Sequence, residues 1–199
     1  RFGIVDSDGT YYNANEILYL ILAHLLQHRR YRGPVARTVA TTHNLDRLTG
    51  AYNLEVIETP VGFKYIGQAL LEKDCILGGE ESGGMSIRGH IPEKDGILAA
   101  ALVAELRAVQ GRSLGAIMND LQERYGRLFS RRFDIEVTPE VKERVLNELS
   151  HWAPSSLAGV PVKERLLLDG LKLVLADGSW VLLRPSGTEP LLRLYTEAA

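Results

Sequence analysis

Cysteine is nearly absent: Cys75 stands alone in 199 residues, which excludes an intrachain disulfide framework and any thiolate metal cluster. No apolar stretch is long enough to span a bilayer, and the first residues lack the basic-then-apolar order of a secretory leader. Neither sign of charge is in excess, since 23 Lys and Arg meet 25 Asp and Glu for a formal net charge of -2. This removes any broad attraction to nucleic acid or to an acidic membrane surface, so an anion site has to be local. Internal repeats and low-complexity tracts are missing as well. The setting these absences fit is reducing and cytoplasmic. An initiator methionine is also lacking, and Arg1-Phe2-Gly3-Ile4-Val5-Asp6 enters a strand pattern at once, so the expectation is a piece of a longer protein.

What is present is ordinary globular composition, 45% hydrophobic and 24% charged, enough for one large domain or two small ones. Asp8-Gly9 predicts a tight hairpin between Phe2 to Val5 and Tyr11-Tyr12. Asn13 with Glu16 predicts a capping box for a helix to about Arg29, with Ile17, Ile21 and Leu25 beside Leu18, Leu22 and Leu26 as a wide apolar stripe. Strands near 35–41, 54–58 and 75–78 then alternate with helices near 44–52 and 62–72, the pattern of an α/β layer fold with parallel pairing. Ile97 to Leu106, apolar nearly all round, predicts a buried helix, and Ser113 opens another with Leu114, Ile117, Met118 and Leu121 on one face. After about residue 128 the pattern changes to a strand over 129–137, a Thr138-Pro139 helix to about Leu149, and a meander. Its strands lie at 166–168, 171–175, 179–184 and 191–196, the first three separated by the Asp169-Gly170 and Asp177-Gly178 turns. The fold class is α/β: a three-layer α/β domain with a mixed sheet, followed by a smaller α+β domain with an antiparallel sheet.

Three turns carry chemistry. Arg184-Pro185-Ser186-Gly187-Thr188-Glu189-Pro190 offers a planar guanidinium, two hydroxyls and a glycine through which backbone amides can approach an anion, a phosphate cradle in principle. Residue types alone equally permit a Ser-Gly turn with a solvated arginine. Gly78-Gly79-Glu80-Glu81-Ser82-Gly83-Gly84 follows a strand at the carboxyl edge of the α/β sheet. Its two acids would repel phosphate, but Glu80 and Ser82 suit adjacent sugar hydroxyls; a flexible acidic surface loop is the plainer reading. In Thr59-Pro60-Val61-Gly62-Phe63-Lys64 a lysine sits at a helix N-terminus, where it opposes the macrodipole and so points to a ligand anion, although most such lysines are only solvated. His24 and His28 share a helix face at i, i+4, but with no acidic or cysteine partner in sequence they read as a packed or solvated pair rather than metal ligands.

These turns, in this order and spacing, resemble the alpha-D-phosphohexomutases, the superfamily of phosphoglucomutase and phosphomannomutase. The Arg184 to Pro190 stretch is similar to the family's domain-four phosphate loop, and Gly79 to Gly84 to its domain-three sugar loop. Thr59 to Lys64, His90-Ile91-Pro92-Glu93-Lys94-Asp95-Gly96 and Arg1 to Thr10 support the match. The resemblance covers essentially the whole chain. It implies that residues 1–12 are the tail of domain two, 13–128 the sugar-recognition domain three and 129–199 domain four, incomplete at its C-terminus.

The implied reaction is reversible phosphoryl transfer between the 1- and 6-positions of a hexose, through a phosphoserine and a hexose 1,6-bisphosphate, with Mg2+. The phosphoserine loop and the aspartate ligands of the ion have no counterpart in this sequence. The resemblance therefore implies no catalytic and no metal residue here: Arg184, Ser186, Gly187 and Thr188 would bind phosphate, Glu80 and Ser82 the sugar's 3- and 4-hydroxyls, and Lys64 the substrate. Its partners would be a phosphorylated hexose and the missing domains one and two, and the chain alone would be inactive. Glu81 and Gly84, where mannose-tolerant relatives often carry Met and His, lean towards glucose. The alternatives are a stand-alone phosphosugar-binding or regulatory module and a structural α/β protein whose loops merely turn.

Overall fold

A computed structural model describes residues 1–187 and 189–199. The chain forms two compact units, Arg1–Arg127 and Leu128–Ala199. The first contains strands β1 (Ile4–Val5) and β2 (Tyr11–Tyr12), helix α1 (Ala14–Gln27), β3 (Val35–Thr38), α2 (Asn44–Ala51), β4 (Val56–Thr59), α3 (Phe63–Glu72), β5 (Leu77–Gly79), β6 (Met85–Ile87), α4 (Gly96–Gln110) and α5 (Leu114–Tyr125). Its main sheet has the order β4-β3-β5-β6, with β3 parallel to β4 and β5, and β6 antiparallel to β5.

Two consecutive glycines of β5 show how the three layers assemble. A Cβ on Gly78 would run into Ile66 and Leu70 of α3, whereas one on Gly79 would run into Leu18 of α1. Successive strand residues face opposite sides, so α3 covers one face and α1 the other, each drawn close because β5 presents no side chain at these positions. The sheet accordingly separates an α3-side cluster of Ala36, Phe63, Ile66, Ala69, Leu70 and Cys75 from the larger cluster built on α1.

The capping box of α1 is formed, with Asn13 N–H donating to Glu16 and Glu16 N–H to Asn13 Oδ1. The expected apolar stripe is instead a helix buried all round: every residue from Ile17 to Leu26 is buried, His24 included. The converse holds for α4, expected to be buried all round and in fact one-sided. Ala99, Leu102, Val103 and Leu106 face the core, while Ile97 is 84% exposed beside the exposed Ala100, Ala101 and Ala104. Alanine is apolar yet removes little surface from water, so an alanine-rich helix reads as buried in sequence when only one face is.

Asp6 fastens the opening hairpin. Its carboxylate accepts from the amides of Ser7 and Leu114, both at 2.8 Å, and from Arg107 Nη1 at 2.6 Å. Burial alone would raise its pKa, but the Ser7 and Leu114 amides and the Arg107 guanidinium hold it below the usual value.

The second unit contains β7 (Phe129–Glu136), α6 (Pro139–Leu149), β8 (Ser156–Leu157), β9 (Val160–Leu166), β10 (Leu171–Leu175), β11 (Trp180–Pro185) and β12 (Leu191–Ala198). They form an antiparallel sheet in the order β7-β12-β11-β10-β9-β8, with Leu149 of α6 packed on Leu171 and Leu173. Thr138 caps α6, and Pro139 occupies its first turn. A strand was expected at 166–168, but β9 ends at Leu166, and Leu167 and Leu168 are about half exposed. The charged run Lys163-Glu164-Arg165 hides a strand in which no residue is fully buried, and the Ala158-Gly159 turn before it, both residues at positive φ, carried no Asp-Gly signal.

Candidate functional site

Each unit carries one candidate site. In the first it is the β5–β6 turn. Gly79 ends β5, and the turn closes through Gly83 N–H on Glu80 O (3.0 Å) and Glu80 N–H on Gly84 O (2.9 Å). The glycine-rich stretch is thus a tight hairpin turn, not a flexible acidic loop. The Glu80 side chain folds inward, 4% exposed, and its Oε1 accepts the Gly62 amide at 3.0 Å. Gly62 is the N-cap of α3 and φ there is 136°, so the carboxylate sits at the amino end of a helix, where the macrodipole favours it. Burial, and secondly the neighbouring Glu81, push its pKa above the ordinary value, opposed by the Gly62 amide, Lys94 and Arg1.

The remaining contacts fix this carboxylate from the other side. A Cβ on Gly84 would lie 2.8 Å from Glu80 Oε2 and 2.9 Å from both Lys94 Cγ and Phe63, so glycine is required for the carboxylate to lie over the turn. The 90–96 stretch is fastened beside it by Ser86 Oγ on Ile91 O (2.6 Å), His90 on Asp95 (2.9 Å) and Asp95 capping α4 through Ile97 and Leu98. This delivers Lys94, whose Nζ lies 5.1 Å over the Phe63 ring and 2.6 Å from Glu93. Glu81 N–H donates to Thr41 Oγ1 at 3.2 Å, and Ser82 is half-buried in the turn. Lys64 is exposed on the first turn of α3, with its ammonium 4.7 Å over the Tyr65 ring. Lys94, which the sequence offered only as part of a longer stretch, is thereby placed beside this turn and, with Arg1, opposes the rise in the Glu80 pKa.

In the second unit the candidate site is the β11–β12 connection. Ser186 N–H donates to Leu191 O at 2.9 Å. The buried Ser186 hydroxyl lies between the Glu189 amide at 3.3 Å and Glu189 Oε2 at 3.4 Å. Gly187 is exposed and a Cβ there would meet nothing within 4 Å. Thr188, the fourth member of the expected phosphate set, lies outside the described residues. Arg184 is 11% exposed at its side chain and pairs with Asp169 at 3.2 Å. The Asp169-Gly170 turn reaches it because Gly170, at φ +87°, has no Cβ to strike Arg184.

Two cations that sequence reading missed complete this site. Arg193 is the cross-strand partner of Arg184, and its Nη2 donates to Glu189 Oε2 at 2.5 Å. Like charges directly opposite on a sheet repel; here Asp169 and Glu189 each hold one of the two guanidiniums. Lys142, from α6, donates to Ser186 O at 2.6 Å and Glu189 O at 3.1 Å. Strand alternation alone could not reveal Arg193, since it needs the register, but its position two residues into the strand after the loop was a usable signal. Lys142 lies 44 residues from Ser186 and leaves no local signature.

His24 and His28 stack with ring centroids 5.4 Å apart, and His24 Nε2 contacts Glu105 at 3.1 Å. Among the described residues no three His, Cys, Asp or Glu side chains gather so as to hold a metal ion, and no helix is long and apolar enough to cross a membrane.

Comparison with known proteins gives the chain its relatives. Residues 13–125 match "Phosphoglucomutase/phosphomannomutase, alpha/beta/alpha domain III" and residues 136–199 match "Phosphoglucomutase/phosphomannomutase, C-terminal domain". All of the chain aligns with 39% of a phosphoglucomutase of Komagataeibacter xylinus at 32% identity, and with 41% of a phosphoglucomutase/phosphomannomutase of Thermococcus kodakarensis at 27%. A crystal structure from Thermus thermophilus, provisionally described as a phosphomannomutase, superimposes on 98% of the chain with a TM-score of 0.79 and 32% identity, over 39% of its own length. The chain thus spans about two fifths of the relatives it matches, and its two matched domains follow each other in the order that its two candidate turns had implied. By both matches the chain belongs to the phosphoglucomutase/phosphomannomutase family, as its third and fourth domains.

Proposed function

We propose that this chain is the substrate-holding part of a phosphohexomutase that interconverts hexose 1-phosphate and hexose 6-phosphate, with glucose favoured. The observation that carries this reading is the second-unit loop, where Lys142 holds the Ser186 carbonyl, Arg193 holds Glu189, and Arg184, its cross-strand partner, lies two residues before Ser186. Two guanidinium forks and a glycine that leaves the backbone open fit a dianionic phosphate, and they act locally in a chain whose net charge is -2. In this reading Arg184, Ser186, Gly187 and Thr188 bind the phosphate, joined by Arg193. Glu80 and Ser82 receive the sugar hydroxyls, a role that a carboxylate already held in the turn by a backbone amide can take without reorganising. Lys64 is retained as a substrate contact, reached by leaving the Tyr65 ring.

These groups position a phosphosugar; none attacks it. The serine that carries the phosphoryl group and the Mg2+ that would neutralise its charge are assigned to the part of the enzyme outside this chain. Among the described residues no group of acidic, histidine or cysteine side chains fits the ion. A hexose 1,6-bisphosphate intermediate would present either phosphate in turn to the same loop. The chain alone is accordingly proposed to bind and not to turn over. Titration of the labelled 199-residue chain with glucose 1-phosphate, followed through its amide resonances, tests this. Shifts in both 80–84 and 184–189 that Arg184→Ala removes are expected; saturating ligand without shifts at either turn would refute it.

A further inference from the structure

We propose that Lys142 is a positioning residue of the phosphate loop, acting on the anion through the loop's carbonyls rather than by contact. The inference rests on the reading of residues 184–189 as a phosphate cradle.

Lys142 lies on the first turn of α6 and is half-buried. Its ammonium donates to Ser186 O at 2.6 Å and Glu189 O at 3.1 Å, so one cation clasps the carbonyls on both sides of the loop's tip. In a trans peptide the C=O and N–H point in opposite directions, and no cis bond occurs among the described residues. Drawing Ser186 C=O towards α6 therefore turns the next amide, Gly187 N–H, away from α6. Gly187 itself is exposed, and an added Cβ there meets nothing within 4 Å. Among the described residues no acceptor claims this N–H. The clasp does two things for an anion. It removes two carbonyl dipoles from the face the anion approaches, and it presents a backbone donor there with its orientation already fixed.

The interaction also explains the loop's shape, which sequence-local hydrogen bonds alone do not. Ser186 Oγ and the Glu189 amide close the tip from within, but they leave the carbonyl of the buried Ser186 unsatisfied, a costly state for a polar group. Lys142 satisfies it with a charge-assisted bond, stronger than a neutral one.

The test is binding of inorganic phosphate to the 199-residue chain, with Lys142→Met, Lys142→Arg and Arg184→Ala compared by amide NMR and calorimetry. Lys142→Met is expected to weaken phosphate about tenfold. Before any phosphate is added, it should already shift and speed the exchange of the Ser186, Gly187 and Glu189 amides, while Leu171 and Leu173 of the core stay unchanged. Lys142→Arg, able to donate to both carbonyls, should restore most of the affinity. Unchanged phosphate affinity in Lys142→Met would overturn the proposal. So would lost affinity with an unperturbed free loop, since that would make Lys142 a direct ligand. If the unaltered chain shows no phosphate shifts at saturation, the cradle reading fails and the positioning role falls with it; binding that survives Lys142→Met but not Arg184→Ala sinks the positioning role alone.

Discussion

The two turns are alike in sequence, each a short glycine-bearing link between antiparallel strands, and opposite in charge. The 80–84 turn buries one carboxylate against a backbone amide, with its pKa pushed up by that burial. The 184–190 turn half-buries three cations and uses its carboxylates, Asp169 and Glu189, to hold two of them. Glycine alone therefore says little about what a loop binds. What discriminates is whether the fixed groups around it accept or donate, and of the two turns it is the second that has three cationic donors beside it.

The sharpest way to break this contrast is Arg184→Ala. Losing a bidentate, charge-assisted donor is expected to weaken inorganic phosphate about 10- to 100-fold. Glucose 1-phosphate should weaken by the same factor, because the loss lies entirely in the phosphate. Calorimetry with both ligands checks it; a loss confined to the sugar phosphate would mean that the second turn reads the sugar.

The converse variant is Gly84→Ala. Its Cβ would stand 2.8 Å from Glu80 Oε2 and 2.9 Å from Lys94 and Phe63, so the carboxylate has to leave its seat on the Gly62 amide. Affinity for glucose 1-phosphate is expected to fall about tenfold, with inorganic phosphate unaffected. Equal losses for the two ligands would erase the division of labour between the turns.

Glu80→Gln probes the same seat more gently. Glutamine can still accept the Gly62 amide but cannot carry charge, so sugar-phosphate affinity is expected to drop only about fivefold. Stability should move the other way. Because burial raises the pKa of Glu80 in the folded chain, the neutral form is the one folding favours. Its contribution is complete below the unfolded carboxylate pKa and is lost as pH rises through the folded one. At pH 7 the variant should therefore melt slightly higher than the parent, and the gain should vanish in acid. A lower melting temperature at pH 7 would show that the charge, not its burial, holds the turn.

Most of this arrangement was legible before any coordinates. Asn13 with Glu16, Ser113 and Thr138-Pro139 announce their helices because capping is a local event within four residues, and Asp169-Gly170 and Asp177-Gly178 announce hairpins for the same reason. The fold class followed from the order of such elements. What escaped was non-local. The antiparallel β6 looked like loop because its three residues follow a glycine-rich turn. Ile97 looked buried because periodicity cannot tell an alanine face from a core face. Lys142 and Lys94 reach their sites through helix packing and a folded-back 90–96 segment, neither of which is written in the spacing of the site motifs.

A last contrast sets Glu80 against Glu105, two glutamates of the same unit shifted in opposite directions. Arg29 and, less strongly, His24 pull the Glu105 carboxyl down to about 2 from 4.5, whereas burial pushes Glu80 up. Glu105 accepts Arg29 Nε at 2.8 Å, with Arg29 Nη2 on its other oxygen, and meets the fully buried His24 Nε2 at 3.1 Å. A folded pKa below the unfolded one contributes stability above about pH 4.5, lost as pH falls towards about 2. Since the Glu105 side chain is 34% exposed, solvent screens the pair and the effect is expected to be about 1 kcal/mol or less. Glu105→Gln should thus lower the melting temperature modestly at pH 7, the deficit shrinking as the parent is taken below about pH 4.5 and closing near pH 2. Glu80→Gln and Glu105→Gln would then give melting differences of opposite sign at pH 7 that both converge to zero in acid. If the Glu105→Gln deficit were the same at pH 3 as at pH 7, the shape of the Arg29 and His24 contact, rather than the charge of Glu105, would be what stabilises this end of α1.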